Sequence, residues 1–176
     1  ITEAVFADTT DERQQARTAI RSLAKQHGIF PSSIFPLYQA FGKREISGFT
    51  VPAINVRMMT YDTARVVFSL MLKHNVGPVI FEIARSEMEY TEQRPDEYAV
   101  AILAAAVKEN YTGPVFLQGD HFQFSKRKFT ENPDDETGKI KALAEEAVRA
   151  GFLNIDIDAS TLVDLTKPTL PEHQKT

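Results

Sequence analysis

The chain has 176 residues, of which 43% are hydrophobic and 25% are charged, a composition that fits a globular protein and excludes a disordered or collagen-like chain. A formal net charge of -4 argues against nucleic acid or an anionic membrane as the main partner. Because the chain has no cysteine, a bound metal would need histidine, carboxylate or carbonyl ligands.

The ends of the chain carry little targeting information. No apolar stretch reaches the roughly 18 residues that a membrane span requires, and the start lacks a basic segment followed by an apolar one. We therefore expect a cytoplasmic protein. The chain begins at Ile1 rather than Met, and a helix-opening pattern has just begun where it stops, so we expect a piece of a longer polypeptide.

The first predicted element is an amphipathic helix over residues 9–28. Thr9 and Glu12 form a capping-box pattern at its start, apolar residues follow at helical spacing, and Gly28 provides the stop. We assign residues 1–32 to an N-terminal helical extension.

From residue 50 onward, apolar strand patterns alternate with helical patterns. Strands joined by helices of this length predict an α/β fold with a parallel sheet, whose strands are covered on both faces and are therefore nearly all apolar. The predicted strands occupy residues 50–56, 77–84, 113–118 and 152–160, and the predicted helices occupy residues 61–75, 95–110 and 139–151.

Polar residues collect where the apolar runs end. The run "PVFLQGDHFQF" places Asp120 and His121 side by side, and "FLNIDIDAS" ends on Asp158 and Ser160. Ligands of parallel α/β folds bind outside the carboxyl ends of the strands, where an acid and a histidine are accessible to substrate. His121 is then a candidate metal ligand and Asp120 a candidate proton donor and acceptor. The alternative is an Asp that caps the next turn beside a His that bonds backbone.

Four segments together resemble the class II, metal-dependent fructose-bisphosphate aldolases, in order and in spacing: "FTVPAINV", "GPVIFEIA", "GPVFLQGDH" and "AVRAGFLNIDIDAS". The resemblance covers about residues 33–176. The "GDH" and "RAGF" pieces are also similar to the tagatose-bisphosphate aldolase subunit that lacks the catalytic role.

Both relatives imply a TIM (β/α) barrel. We therefore expect residues 33–176 to form the N-terminal half of such a barrel, with about four βα units, preceded by the helical extension. A full barrel has about 250 residues, so the domain should continue beyond this chain.

The resemblance also implies roles for individual residues. His121 matches the first zinc-binding histidine, and Asp120 matches the acid that handles the proton of the substrate's C4 hydroxyl. Asn55 matches an Asn near the substrate, and Asp158 an Asp that supports the metal region. For Asp156, a salt bridge within the barrel is at least as good an interpretation. The implied cofactor is a divalent metal, expected to be zinc, whose other Glu and His ligands lie on later strands.

The implied activity is that of a lyase: reversible, metal-dependent cleavage of fructose- or tagatose-bisphosphate to dihydroxyacetone phosphate and glyceraldehyde 3-phosphate. A phosphorylated ketose is the expected partner, and we expect a homo-oligomer. Two alternatives stay open, a non-catalytic barrel subunit that supports a partner aldolase and a metal-dependent sugar epimerase on the same fold.

A polar insertion, "FQFSKRKFTENPDDETG", follows the Asp-His pair where ordinary aldolases soon begin a helix. Lys126 and Lys128 in this insertion are candidate ligands of a sugar phosphate, together with Arg127. The alternative is a solvated loop whose lysines face the acidic residues 134–136.

Overall fold

The computed structural model describes residues 1–173, so residues 174–176, the last three of the predicted barrel domain, lie outside the described part. Within it, helices and parallel strands alternate from Ala53 onward. The helices are α1 (Thr2–Phe6), α2 (Thr10–Gln26), α3 (Phe35–Gly42), α4 (Thr60–His74), α5 (Arg85–Thr91), α6 (Pro95–Lys108), α7 (Lys126–Glu131), α8 (Pro133–Ala150) and α9 (Leu170–His173), and a 3-10 turn, η1, spans Ser160–Leu162. The strands are β1 (Ile29–Pro31), β2 (Ala53–Asn55), β3 (Ile80–Ala84), β4 (Gly113–Gln123) and β5 (Asn154–Asp158).

The strands form one parallel sheet in which β2, β3, β4 and β5 follow one another in chain order. Strand β1 pairs with the first residues of β4, and β5 pairs with its later residues. Asn154 on β5 accepts a hydrogen bond from the backbone N–H of Ile34, just after β1, so β1 and β5 lie along the same side of β4. The sheet is open among the described residues.

The main core lies on one face of this sheet. Helices α4, α6 and α8 pack there against buried strand residues in a single apolar cluster that includes Phe68, Phe81, Ile102, Leu117 and Leu143. The opposite face has only a small apolar cluster around Ile34, Ile80 and Phe116. All three connecting helices, α4, α6 and α8, therefore return on the same side of the sheet.

The N-terminal segment packs on its own chain. Arg17 and Arg21 of α2 both form ion pairs with Asp96 at the start of α6, at 3.1 and 2.6 Å. The capping box of Thr9 and Glu12 is present at the start of α2 as predicted. Residues 29–31, within the predicted helical extension, form β1 and add a strand to the sheet.

The sequence patterns located the main elements but not all of their bounds. Predicted helices and strands correspond to α2, α4, α6, α8 and to β2 through β5. The α/β class with a parallel sheet is confirmed. No helix within residues 1–173 is both long enough and apolar enough to cross a membrane.

Candidate functional site

Strand β4 contains a β-bulge at the predicted site. Gly119 lies opposite Ile155 of β5, and Phe122 lies opposite Ile157, so Asp120 and His121 together face one residue of β5, Asp156. His121 takes a left-handed backbone conformation with φ of 44°, which is uncommon for a residue other than glycine. In a regular strand neighbouring side chains alternate between faces. The extra residue allows Asp120 and His121 to project toward the same carboxyl-end cleft.

Gly119 and Phe122 hold the bulge from the core side. The Phe122 side chain is fully buried in the main core. Its ring lies over Gly119, where a Cβ atom would come within 2.5 Å of Phe122 Cζ. A glycine inside a strand often marks a bulge or a close approach, and here it marks both.

His121 lies among three carboxylates on two strands. Its Nδ1 lies 2.9 Å from Asp158 Oδ2, and its Nε2 lies 3.8 Å from Asp120 Oδ1. Asp156 Oδ2 is 3.9 Å from Nδ1. The hydrogen bond to Asp158, and then the charge of Asp120, raise the pKa of His121. The imidazole is well exposed and faces a region of concentrated negative charge.

Asp120 is the less exposed member of the Asp-His pair. Its Oδ2 accepts a hydrogen bond of 3.2 Å from Asn55 Nδ2, which links the ends of β2 and β4. Burial raises the pKa of Asp120, while the charge of His121 opposes that change. Asn55 and Asp120, predicted as substrate-binding and catalytic residues, are thus in direct contact. Asn55 Oδ1 is buried without a hydrogen-bond partner among the described residues.

A cleft of about 680 Å³ opens beside this group, lined by the ends of β2, β3 and β4, by the insertion and by η1. Asn55, Asp120 and His121 line it, as do Lys126 and Lys128. The structure therefore brings together in one cleft five of the six predicted site residues. Asp158, the sixth, lies behind His121 and is largely buried.

The insertion is fastened to the sheet. Glu136, which is fully buried, accepts hydrogen bonds from both terminal nitrogens of Arg85, at 2.6 and 3.3 Å, and one of 2.9 Å from the backbone N–H of Ser125. Phe124 donates its backbone N–H to the carbonyl of Asp158 and accepts a hydrogen bond from Thr161 Oγ1. These contacts hold residues 124 and 125, which line the cleft, against α8 on one side and against η1 and the end of β5 on the other.

This arrangement differs from the alternative considered for the insertion, a solvated loop whose lysines face the acidic residues 134–136. Residues 126–131 form helix α7, and the first turn of α8 contains the acidic residues. Glu136 pairs with Arg85 rather than with a lysine. Within residues 1–173, Lys126 and Lys128 have no ion-pair partner within 4.0 Å, whereas Arg127 lies 3.5 Å from Glu131. The two lysines line the cleft, and Arg127 does not.

The donor atoms fit a divalent metal. Asp120, His121 and Asp156 each offer one ligand atom, and these atoms lie within 4.8 Å of one another. Two carboxylate oxygens with one imidazole nitrogen form a donor set that suits zinc and several other divalent ions. From the sequence, His121 and Asp158 were the residues predicted for the metal, and a salt bridge was at least as good an interpretation for Asp156. Asp156 Oδ2 lies 3.9 Å from His121 Nδ1, and Asp158 Oδ2 lies 2.9 Å from the same nitrogen.

Three residues of the site did not stand out in the sequence. Gln123 donates a hydrogen bond of 2.6 Å to Asp158 Oδ2, and Glu87 binds Arg57 at 2.9 Å beneath the cleft. Glu136 lay in an acidic run that looked solvated. The only available signal was the length of the polar segment after His121, which indicated an insertion without showing its contacts.

Comparison with known proteins does not assign this chain to a family. No family model matches it, and no curated protein sequence matches it significantly. The aldolase resemblance therefore depends on the motifs quoted above and on the site that they form.

Proposed function

We propose that this chain is a class II aldolase-like lyase that cleaves a phosphorylated ketose with the help of a divalent metal. The bulge in β4 is the observation that carries the proposal. It gathers an imidazole and two carboxylates at the carboxyl ends of parallel strands, beside a cleft lined by two lysines that have no ion-pair partner within residues 1–173. These are the parts that the reaction needs: metal ligands, a proton carrier and a site for an anionic group.

His121 and Asp156 are the residues that would hold the metal, and His121 Nε2, which lies 3.8 Å from Asp120 Oδ1, is the nitrogen that would bind it. When bound, a divalent metal would polarise the substrate carbonyl and stabilise the negative charge that develops when the carbon-carbon bond breaks. A catalytic zinc usually has three protein ligands, so this chain supplies part of the set.

Asp120 would accept the proton of the substrate's C4 hydroxyl as the bond between C3 and C4 breaks. Its carboxylate is held by Asn55 and faces the cleft. Burial raises the pKa of Asp120, which brings a carboxylate closer to the range in which a general base works well.

Lys126 and Lys128 would bind a phosphate group of the substrate. Their ammonium groups lack carboxylate partners within residues 1–173, and the Arg85–Glu136 pair fixes the segment that presents them. A lysine whose charge is not neutralised by the protein is available for an anionic ligand.

The finer fold, the N-terminal half of a TIM barrel, is part of the same proposal. Strands β2 to β5 are consecutive in the sheet, and the three connecting helices pack on one face. That arrangement is the one found in (β/α) barrels, whereas doubly wound sheets have helices on both faces.

One observation favours the epimerase alternative. Glu82 of β3 lies on the same face as Asp120 and accepts a hydrogen bond of 2.7 Å from Gln118. Among residues 1–173 it has no ion-pair partner within 4.0 Å. Burial, and then the charge of Asp120, raise the pKa of Glu82. Two carboxyl groups with raised pKa values could serve proton transfer next to a carbonyl. Product analysis with phosphorylated and unphosphorylated ketoses separates the two reactions.

Metal analysis is the first experiment. We expect the wild-type protein to retain zinc after dialysis, His121→Ala to lose it, and Asp120→Asn to keep it while losing activity by about 10²- to 10⁴-fold. His74→Ala, at the exposed end of α4, is the matched control and should behave as wild type. Full zinc content in His121→Ala would refute the metal site, and a wild-type protein without metal would favour the non-catalytic subunit.

The lysines need a separate test. Replacing Lys126 or Lys128 with Ala should raise KM for a phosphorylated ketose about tenfold, because a hydrogen bond to a charged group contributes about 1.5 kcal/mol. Arg127→Ala removes the same charge from the same helix, but Arg127 pairs with Glu131 outside the cleft, so its KM should not change. Equal effects of all three substitutions would show that only the overall charge matters.

A further inference from the structure

Asp158 differs from the other carboxylates around His121 in the number of hydrogen bonds that it accepts. Its Oδ2 accepts from Gln123 Nε2 at 2.6 Å and contacts His121 Nδ1 at 2.9 Å, and its Oδ1 accepts from the backbone N–H of Ser160 at 2.8 Å. Its side chain is only 10% exposed. These three contacts engage both oxygens of the Asp158 carboxylate and fix it in place.

The His121 side chain, in contrast, is only weakly restrained by packing. Its side chain is 60% exposed and its backbone has a left-handed conformation. An exposed imidazole on a bulge would exchange between rotamers and between its two neutral tautomers unless a fixed partner selected one. Asp158 is the only residue that contacts a His121 ring nitrogen at hydrogen-bond distance within residues 1–173.

We propose that Asp158 and Gln123 are positioning residues that keep the His121 proton on Nδ1 and direct the lone pair of Nε2 into the cleft. The inference rests on the proposed metal site, since it assigns Asp158 to the orientation of His121 and not to direct ligation. Histidines that bind metals usually donate their other N–H group to a carboxylate or carbonyl, and loss of that partner typically weakens the metal site 10- to 100-fold.

Gln123 contributes because of the bulge. The register shift places Gln123 opposite Asp158 as a cross-strand pair, so its amide can restrain the carboxylate from the side of β4. Without the extra residue in β4, Phe122 would lie opposite Asp158, and its side chain has no hydrogen-bond donor. The same irregularity that exposes His121 therefore also provides the residue that restrains its partner.

The chemistry of Asp158→Asn predicts a specific change. The backbone N–H of Ser160 needs an acceptor at the Oδ1 position, so the new amide nitrogen would take the Oδ2 position and donate to His121 Nδ1. The proton of the neutral imidazole would then move to Nε2, and the lone pair would no longer face the cleft. Gln123→Met removes the restraint on Asp158 without changing the charge, and it should leave the tautomers mixed.

The test is long-range ¹H–¹⁵N NMR of His121 in the metal-free protein, recorded at a pH above the titration of the ring, together with zinc titrations. We expect Nδ1–H in the wild type, Nε2–H in Asp158→Asn, mixed tautomers in Gln123→Met, and zinc affinity reduced about 10- to 100-fold in Asp158→Asn. Asp164→Asn should match the wild type, because within residues 1–173 the Asp164 carboxylate contacts only its own turn and Lys167.

Each outcome has one meaning for the inference. A wild-type tautomer in both Asp158→Asn and Gln123→Met would overturn it. Weaker zinc binding with an unchanged tautomer would also overturn it, because Asp158 would then act as a ligand. If the tautomer changes as expected but the wild type binds no zinc, the positioning role stands and the proposed metal function fails. If Asp158→Asn does not fold, Gln123→Met still gives the decisive spectrum.

Discussion

Replacing Gly119 with Ala tests whether the bulge depends on the contact between Gly119 and Phe122. The added Cβ would lie 2.5, 2.7 and 3.1 Å from three atoms of the Phe122 ring. The ring is fully buried in the main core and cannot move away without displacing its neighbours. Either the ring or the bulge has to shift by about 0.5–1 Å, a displacement of the kind that overpacked cores show.

The magnitude follows from two opposing effects. Overpacking of a core costs about 1–3 kcal/mol, and three short contacts with a rigid ring place this site in the upper half of that range. A glycine-to-alanine change stabilises by about 0.4–1 kcal/mol through the unfolded chain, since the φ of Gly119 is not positive. We expect the free energy of unfolding to fall by about 1–2 kcal/mol.

Gly138→Ala is the matched control. Gly138 lies on the exposed side of α8, and nothing lies within 4 Å of a Cβ built there. In a helix interior the same change should stabilise the protein by about 1 kcal/mol. In urea unfolding, the free energy of unfolding should therefore fall for Gly119→Ala and rise for Gly138→Ala.

A rescue variant identifies the contact. Leu at position 122 lacks the ring atoms nearest to Gly119, so Gly119→Ala combined with Phe122→Leu should be less destabilised than the two single effects added together, by about 1–2 kcal/mol. If Gly119→Ala is as stable as the wild type, or if the two changes are simply additive, the proposed lock on the bulge is wrong.

Two further predictions concern ion pairs. Glu136→Gln should lower the free energy of unfolding in urea by about 2–3 kcal/mol, because it leaves the largely buried Arg85 with only the exposed Glu89 as a counter-charge. Glu131→Gln at the exposed Arg127 pair should change it by less than about 0.5 kcal/mol, and similar values for the two variants would contradict the buried role of Glu136. The wild type should exceed Asp158→Asn in stability most clearly between about pH 4 and 6.5, where the carboxylate is ionised and His121 protonated. That difference should shrink as pH rises through the raised pKa of His121 or falls through the lowered pKa of Asp158, and a difference that is constant from pH 3 to about 9 would refute it.

The sequence was most informative where hydrophobic periodicity extends over many residues. Helices α4, α6 and α8 and strand β3 follow from such patterns, because burial of one helix face or of a whole strand fixes the residue types. Short elements gave no such signal. Strand β1 has three residues and is held by its pairing with the distant strand β4, and helix α7 has six residues and packs on the next helix, α8.

The site could be predicted in position but not in geometry. Asp120 and His121 were identified because polar residues at a strand end favour a ligand site. The strand was expected to end before them, yet β4 continues to Gln123. A bulge depends on the register with the neighbouring strand, and a single sequence does not show register. Gly119 was the local signal for it, but its meaning depends on a ring three residues away.

The polarity of the second sheet face connects the fold to the proposed chemistry. Glu82 and Gln118 lie at the same level of neighbouring strands, away from the helices, and bond each other at 2.7 Å. A second helix layer would bury this pair against apolar side chains, where an ionised carboxylate with one amide donor is costly. In the proposed barrel, the same residues would form a polar layer below the cleft. Asn55 of β2 lies at the same level as this pair, and Asp120 lies one level higher on β4, where its carboxylate accepts the hydrogen bond from Asn55. The one-sided helix packing and the acidic cleft are therefore consequences of the same alternation along β3 and β4.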